Sequence, residues 1–453
     1  MDFCFRKAGM PLAAGALALL VGFAAVPPAI AQQPAAAGQA PAKNYKDRGE
    51  YDLFSKVTQT TDPKARLEVL NTWQDKYPQT DYSQERLQYY ILTLSQLAQS
   101  DPAQRQPLLN KCQELLKVDP KNANALYLIA FYGPAIGGAN PSPELQSQVE
   151  SASHAFISGA DEAFSPANKP KNITEADFEK AKKIRLGVAH NALAWVATAK
   201  KDNATAESEY RASLEVNPDQ GPVSAQLAKV LYDEKKIPEA LFQYARASEY
   251  TGPGSALPPN VRQQLTDFFN KAYKEYKGNA EGADQVLAQA KASALPPSGF
   301  TIASAAKKAQ EDAAKINARI DSDPAFKLWY SIKSNLIGDQ ADSFFTNSVK
   351  DFEIPGGAEG VKTFKGTVIS IDPPDKPTKV VLGIEDPAKP DCTLLFTNPL
   401  PASALDTIKV GGTIDFSGVA DSFTKDPYML TFKDPDIPGV QLTTPKKTGK
   451  RKR

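Results

Sequence analysis

The stretch from Gly187 to Gly252 constrains this chain more than any other. It holds two tandem segments, GVAHNALAWVATAKKDNATAESEYRASLEVNPDQ and GPVSAQLAKVLYDEKKIPEALFQYARASEYTG, which superimpose at a spacing of 34 residues. Leu193-Ala194 falls on Leu227-Ala228, Ala206 on Ala240, Tyr210 on Tyr244, and Ser213 on Ala247. Small residues recur where one helix must cross the next, and large ones where they fill the gap between turns. Such a unit cannot bury its apolar face alone, so stacked neighbours are expected on both sides.

Those neighbours are legible as diverged copies. Asp62-Pro63 is a helix start, Leu67, Leu70 and Trp73 share one helical face, and Tyr77-Pro78 ends the run. A second hairpin runs from Ser83 through Leu97 and then from Pro107 to Val118. The endings Lys76-Tyr77-Pro78 and Val118-Asp119-Pro120 echo Val216-Asn217-Pro218. The array is therefore placed over 45–295, interrupted by loops at 133–143 and 165–174 around a small-residue helix, Glu144 to Phe164.

The spacing W/L-x2-L-G/A…A-x3-F/Y…P, closed by Pro218 in the first copy and by Gly252 in the second, resembles the tetratricopeptide repeat. The resemblance implies an α-solenoid whose first helices line a concave surface that holds segments of partner proteins. By matched position, that surface would carry Asn191, Trp195 and Thr198, then Ala225, Lys229, Tyr232 and Asp233. Mixed aromatic, amide and charged groups suit recognition of a protein or peptide partner. The full set of basic and amide residues that clamps a terminal carboxylate in some family members is missing. The competing reading of Trp195 and Tyr232 is plain inter-helix packing.

Beyond Leu295-Pro296-Pro297 the pattern changes twice. Residues 296–350 read as a helical adaptor, with an exposed Ala/Lys/Glu-rich helix and then a stripe of Phe326, Trp329, Tyr330, Ile332 and Leu336. From Thr363 the period becomes that of strands, five of them within 360–442, with a short helix at Pro401 to Ile408 between the third and fourth. That order, and the run from Leu405 to Val419, resemble the small OB-like modules of bacterial envelope proteins. The expected fold class is thus mostly α: a solenoid of TPR-like hairpins followed by a five-stranded OB-like β-barrel.

Residues 1–31 have the form of a cleaved secretory signal: Arg6 and Lys7, an apolar run, then Ala29-Ile30-Ala31. The expected location is periplasmic or secreted; the alternative is an uncleaved inner-membrane anchor. No other stretch is apolar enough for an integral membrane span. Residues 32–44 read as a flexible leader and 443–453 as a disordered basic tail. Loss of Asp2, Arg6 and Lys7 from a chain of 53 basic and 52 acidic residues leaves the remainder balanced, which argues against wholesale attraction to nucleic acid or membrane.

Chemistry is sparse. The only histidines are His154 and His190, both read as packed or surface groups. Cys112 and Cys392 read as small buried hydrophobes. No zinc-protease, C-x-x-C, Walker or nucleophile-elbow motif occurs. Ser304-x-x-Lys307 and Lys447-Thr448-Gly449 mimic a penicillin-binding pair, but the triplet lies in the charged tail and no middle motif accompanies it. No catalytic residue, metal or cofactor is expected. From Thr363 to Leu442, seven Lys face ten Asp and one Glu, a poor balance for phosphate binding. The sequence thus reads as a non-catalytic exported scaffold for proteins or peptides; the alternative is an oligonucleotide- or anionic-polymer-binding protein that uses barrel and tail.

Overall fold

A computed structural model describes residues 43–252 and 254–441. The predicted signal peptide, most of the leader and the basic tail lie outside the described residues. The chain divides into two units, one ending at Ala305 and the other beginning at Ala306.

The first unit is a run of helical hairpins. Its helices are α1 (Arg48–Gln59), α2 (Pro63–Lys76), α3 (Ser83–Leu97) and α4 (Arg105–Val118). Next come α5 (Ala123–Gly137), α6 (Pro143–Ala163), α7 (Glu175–Ala199) and α8 (Asn203–Val216). The last four are α9 (Gly221–Asp233), α10 (Ile237–Glu249), α11 (Pro259–Lys277) and α12 (Ala283–Ala292). Each helix from α2 to α11 packs on the one before it, while α12 folds back onto α10.

Local chemistry sets the boundaries. Asp62, Asn122, Ser142, Thr174 and Asp202 each accept a backbone N–H at their helix N-termini, and Pro63 and Pro143 occupy first-turn positions where no N–H is needed. The two clear repeats share a turn as well as a core. Lys201 and Lys235, 34 residues apart, both adopt left-handed backbone, with φ of 61° and 65°. In both turns the next residue's N–H reaches back five positions: Asp202 to the Ala197 carbonyl and Lys236 to the Leu231 carbonyl, each at 2.9 Å.

The matched positions are the contacts of the stack. Leu193, Ala194, Ala206, Tyr210 and Ser213 are buried in the first copy, as are Leu227, Ala228, Ala240 and Ala247 in the second. Tyr244 is the exception, half-buried where Tyr210 is buried. Ser213 hydroxyl donates to the Gly187 carbonyl at 2.7 Å, which ties the last turn of α8 to the middle of α7. Gly187 is required there, because an added Cβ would lie 2.9 Å from the Cβ of Asn217.

The second unit contains α13 (Ala305–Ser322, which begins at the boundary), α14 (Pro324–Ile337), the short α15 (Ala341–Phe344) and seven strands. These are β1 (Glu353–Ile354), β2 (Phe364–Asp372), β3 (Lys379–Gly383), β4 (Cys392–Leu395), β5 (Thr413–Phe416), β6 (Gly418–Lys425) and β7 (Tyr428–Lys433). They form one mixed, curled sheet in the order β1-β6-β7-β4-β3-β2-β5, with β4 and β7 parallel and the other pairs antiparallel.

Seven strands replace the expected five. The run read as one strand from Thr413 to Val419 breaks at Ser417, which bridges to Asp436 and lets the chain continue as β6 along a different neighbour. Gly418 makes the break possible: a Cβ there would sit 3.1 Å from the backbone of Pro435. At two residues, β1 is too short to carry a period. The helix expected over Pro401–Ile408 is a single 3-10 stretch, Ala402–Asp406.

The adaptor's second helix is part of this unit's core. Trp329, fully buried, meets Phe364 edge-on at 5.3 Å between centroids, and Ile332 and Leu336 continue the same face. In α13 no residue is buried. Arg319 nevertheless lies over the Phe326 ring at 3.8 Å and donates to the Ile384 carbonyl at 2.8 Å, fixing that helix's last turns to α14 and to the end of β3.

Candidate functional site

The candidate groove residues lie on α7 and α9, the first helices of the two repeats. Asn191, Trp195 and Thr198 fall at i, i+4 and i+7, and Lys229, Tyr232 and Asp233 at i, i+3 and i+4, so each set shares one helical face. The structure then treats the two sets differently.

On α7, Trp195 is half-buried and committed. Its indole Nε1 donates to the Gly138 carbonyl at 2.8 Å, and its ring lies against Gly137, where an added Cβ would come within 2.6 Å. Asn191 is half-buried, with an Oδ1 that has no hydrogen-bond partner among the described residues. Thr198 is exposed, its hydroxyl donating to the Ala194 carbonyl at 2.8 Å within its own helix.

On α9, Lys229 and Asp233 are exposed and Tyr232 is half-buried. Tyr232 meets Phe268 of α11 edge-on at 6.2 Å, and Phe268 in turn meets Tyr244 of α10 at 4.7 Å. Burial, helped by the neighbouring Asp233 carboxylate and Tyr232, pushes the Tyr244 hydroxyl well above the usual phenol range, so it stays a neutral donor. The structure therefore gathers Tyr232, Asp233, Phe268 and Tyr244 into one half-exposed aromatic ridge flanked by charge.

Ala225 does not belong to such a surface. It is buried against Ala247, Leu257 and Leu265. Position matching placed it on the concave face, but α11 follows so closely that the methyl becomes core. Phe268 was missed because α11 follows the two matched copies, so no register carries over to it.

Glu209 is a neighbour common to both histidines. His154 lines a small cavity of about 180 Å³ with Glu150, Lys200, Asp202 and Glu209, and His190 Nδ1 lies 2.7 Å from Glu209 Oε2. Lys200 reaches both oxygens of Glu150 at 2.8 Å. Among the described residues, no group of three or more His, Cys, Asp or Glu side chains is placed to hold a metal ion. In the second unit, Phe364, Phe396, Phe416, Tyr428 and Phe432 are buried in the sheet's core, and Phe423 packs against Phe345 at 4.9 Å.

The fold is that of a mostly helical protein of stacked hairpins, followed by a curled β-unit. No family model matches the chain, and no curated protein matches it either. Among solved structures it is similar to the crystal structure of a thermophilic TPR protein from Thermus thermophilus, at 17% identity and a TM-score of 0.27, covering 49% of this chain and 98% of that one.

Proposed function

We propose that this protein is a non-catalytic scaffold of the cell envelope that holds a protein or peptide partner on the first-helix face of its repeats. The observation that carries the reading is the ridge on α9 and α11. Tyr232 and Phe268 present half-exposed aromatic edges, with Lys229 and Asp233 exposed beside them. Aromatic anchors flanked by charge are the usual source of side-chain-specific affinity in protein recognition. Export rests on the sequence of residues 1–31. We read the second unit as OB-like. The support is its strand order, the parallel pairing of β4 with β7, and the adjacency in sequence of β5 and β6, which flank Ser417 and lie towards opposite ends of the order.

The test is affinity capture from envelope extract with the mature chain and with a Lys229→Glu/Asp233→Lys variant, followed by titration of the purified partner. Both substituted residues are exposed, so folding should change by no more than about 0.5 kcal/mol. A partner bound by the first protein and weakened at least about tenfold by the second supports the ridge. Equal binding to both moves the interaction elsewhere.

A further inference from the structure

A second feature lies away from that ridge, on α4 and α6. Between them and the turn that follows α5 is an open depression of about 360 Å³ lined by five carboxamides: the exposed Gln106 and Asn110 and the half-buried Gln113 of α4, the exposed Asn140 of the turn, and the half-buried Gln148 of α6. The α4 residues fall at i, i+4 and i+7, so they form one stripe along a single helical face. Among the lining residues, Glu144 is the only ionisable one. The lining thus carries one carboxylate and no cation, and this decides which ligands fit.

Some of the amides are already oriented. Gln106 Nε2 donates to Asn110 Oδ1 at 2.9 Å, and Gln148 Nε2 donates to Glu144 Oε1 at 3.2 Å. Each pairing uses one donor and one acceptor and leaves the rest of each group for a ligand. The side chains of Gln113 and Asn140 make no protein hydrogen bond among the described residues. The wall itself is held in place: Gly137 abuts both the Trp195 ring and Pro141, and the next carbonyl, that of Gly138, accepts the Trp195 N–H.

The chemistry narrows the ligand by elimination. An anion would find no cation in the lining and would meet Glu144. An apolar ligand would strip water from the carboxamides without replacing its hydrogen bonds. The depression stands at the small end of ligand sites, which favours a compact molecule over a length of chain. A carboxamide offers donor and acceptor together, and a sugar hydroxyl does the same. We infer that this depression is a binding site for a small neutral saccharide of one or two rings. It is independent of the partner-binding ridge.

The experiment is saturation-transfer NMR on the mature protein with glucose, N-acetylglucosamine, cellobiose and, as the charged counterpart, glucuronate. The expected result is binding of at least one neutral sugar, glucuronate binding more weakly, and a loss of at least about tenfold in a Gln113→Ala/Asn140→Ala variant. A Gln113→Leu variant, which keeps the side-chain bulk but removes its polar atoms, should lose binding in the same direction. Circular dichroism of both variants confirms that they fold. No binding of any neutral sugar, equal binding of glucuronate, or binding unchanged in both folded variants overturns the proposal.

Discussion

The indole N–H of Trp195 donates to the carbonyl of Gly138 at 2.8 Å, joining residues 57 positions apart. That bond links α7 to the turn after α5. Trp195→Ala removes both the bond and the ring that rests on Gly137, and should destabilise the helical unit by about 2–4 kcal/mol. Trp195→Phe keeps most of the packing and should lose only about 1 kcal/mol. Urea unfolding of the two variants measures the difference; equal losses would show that the hydrogen bond, and not the packing, holds the turn.

Gly133 lies within α5, where an added Cβ would come 2.2 Å from Val149 Cγ2 on α6. Gly133→Ala therefore overpacks the α5–α6 contact and should cost about 1–3 kcal/mol despite alanine's better helix propensity. In the Val149→Ala background the clash has no partner, so the same substitution should become neutral or favourable. A double-mutant cycle reads this as a coupling well outside simple additivity.

Glu50 is completely buried, and Trp73 Nε1 donates to it at 3.1 Å. Burial pushes its carboxyl pKa up, but the Lys46 backbone N–H, the Thr80 hydroxyl and the Trp73 indole outweigh that and hold it below the usual glutamate value. A carboxylate lowered in the folded state contributes stability above its unfolded pKa and loses it as pH falls through the folded one. Glu50→Gln should accordingly cost about 1.5–3 kcal/mol at neutral pH, and the gap to the parent should close on acidification below the glutamate range. Asp391, whose carboxyl burial raises, works in the opposite sense: its contribution is present at low pH and is lost as pH rises through its folded pKa. Chemical denaturation at a series of pH values separates the two.

Cys112 and Cys392 are free and buried, and burial pushes the Cys112 thiol up to about 12 and that of Cys392 well above the usual thiol range. Thiolate is the reactive form, so a disulfide reagent should find both groups inert in the native protein and reactive after denaturation. Rapid labelling of either in native buffer would contradict their placement in the two cores.

The helices and their stacking contacts were legible because one period of 34 residues repeats the same small and large residues at the same places. The candidate site was legible only in part. Matching by position put Trp195 and Ala225 on the same surface as Lys229 and Asp233. Packing decides otherwise for Ala225, which is enclosed by Leu257 and Leu265, while Trp195 is half-buried and bonded to Gly138. The turn residues were also hidden. Lys201 and Lys235 hold left-handed backbone that a glycine would have signalled, and no lysine announces it.

Local pattern alone reveals the run of helices, the repeat that makes the first unit a stack, and the change to strands after Thr363, though with five strands where the fold has seven. These depend on local periodicity and on capping residues such as Asp62, Asn122 and Asp202, which act within a few positions of themselves. It takes the folded chain to divide the strand begun at Thr413 at Ser417, to bring Trp329 into the β-unit's core, and to stand Phe268 beside Tyr232. Each of those depends on what arrives from a distant part of the chain, and no periodicity records that.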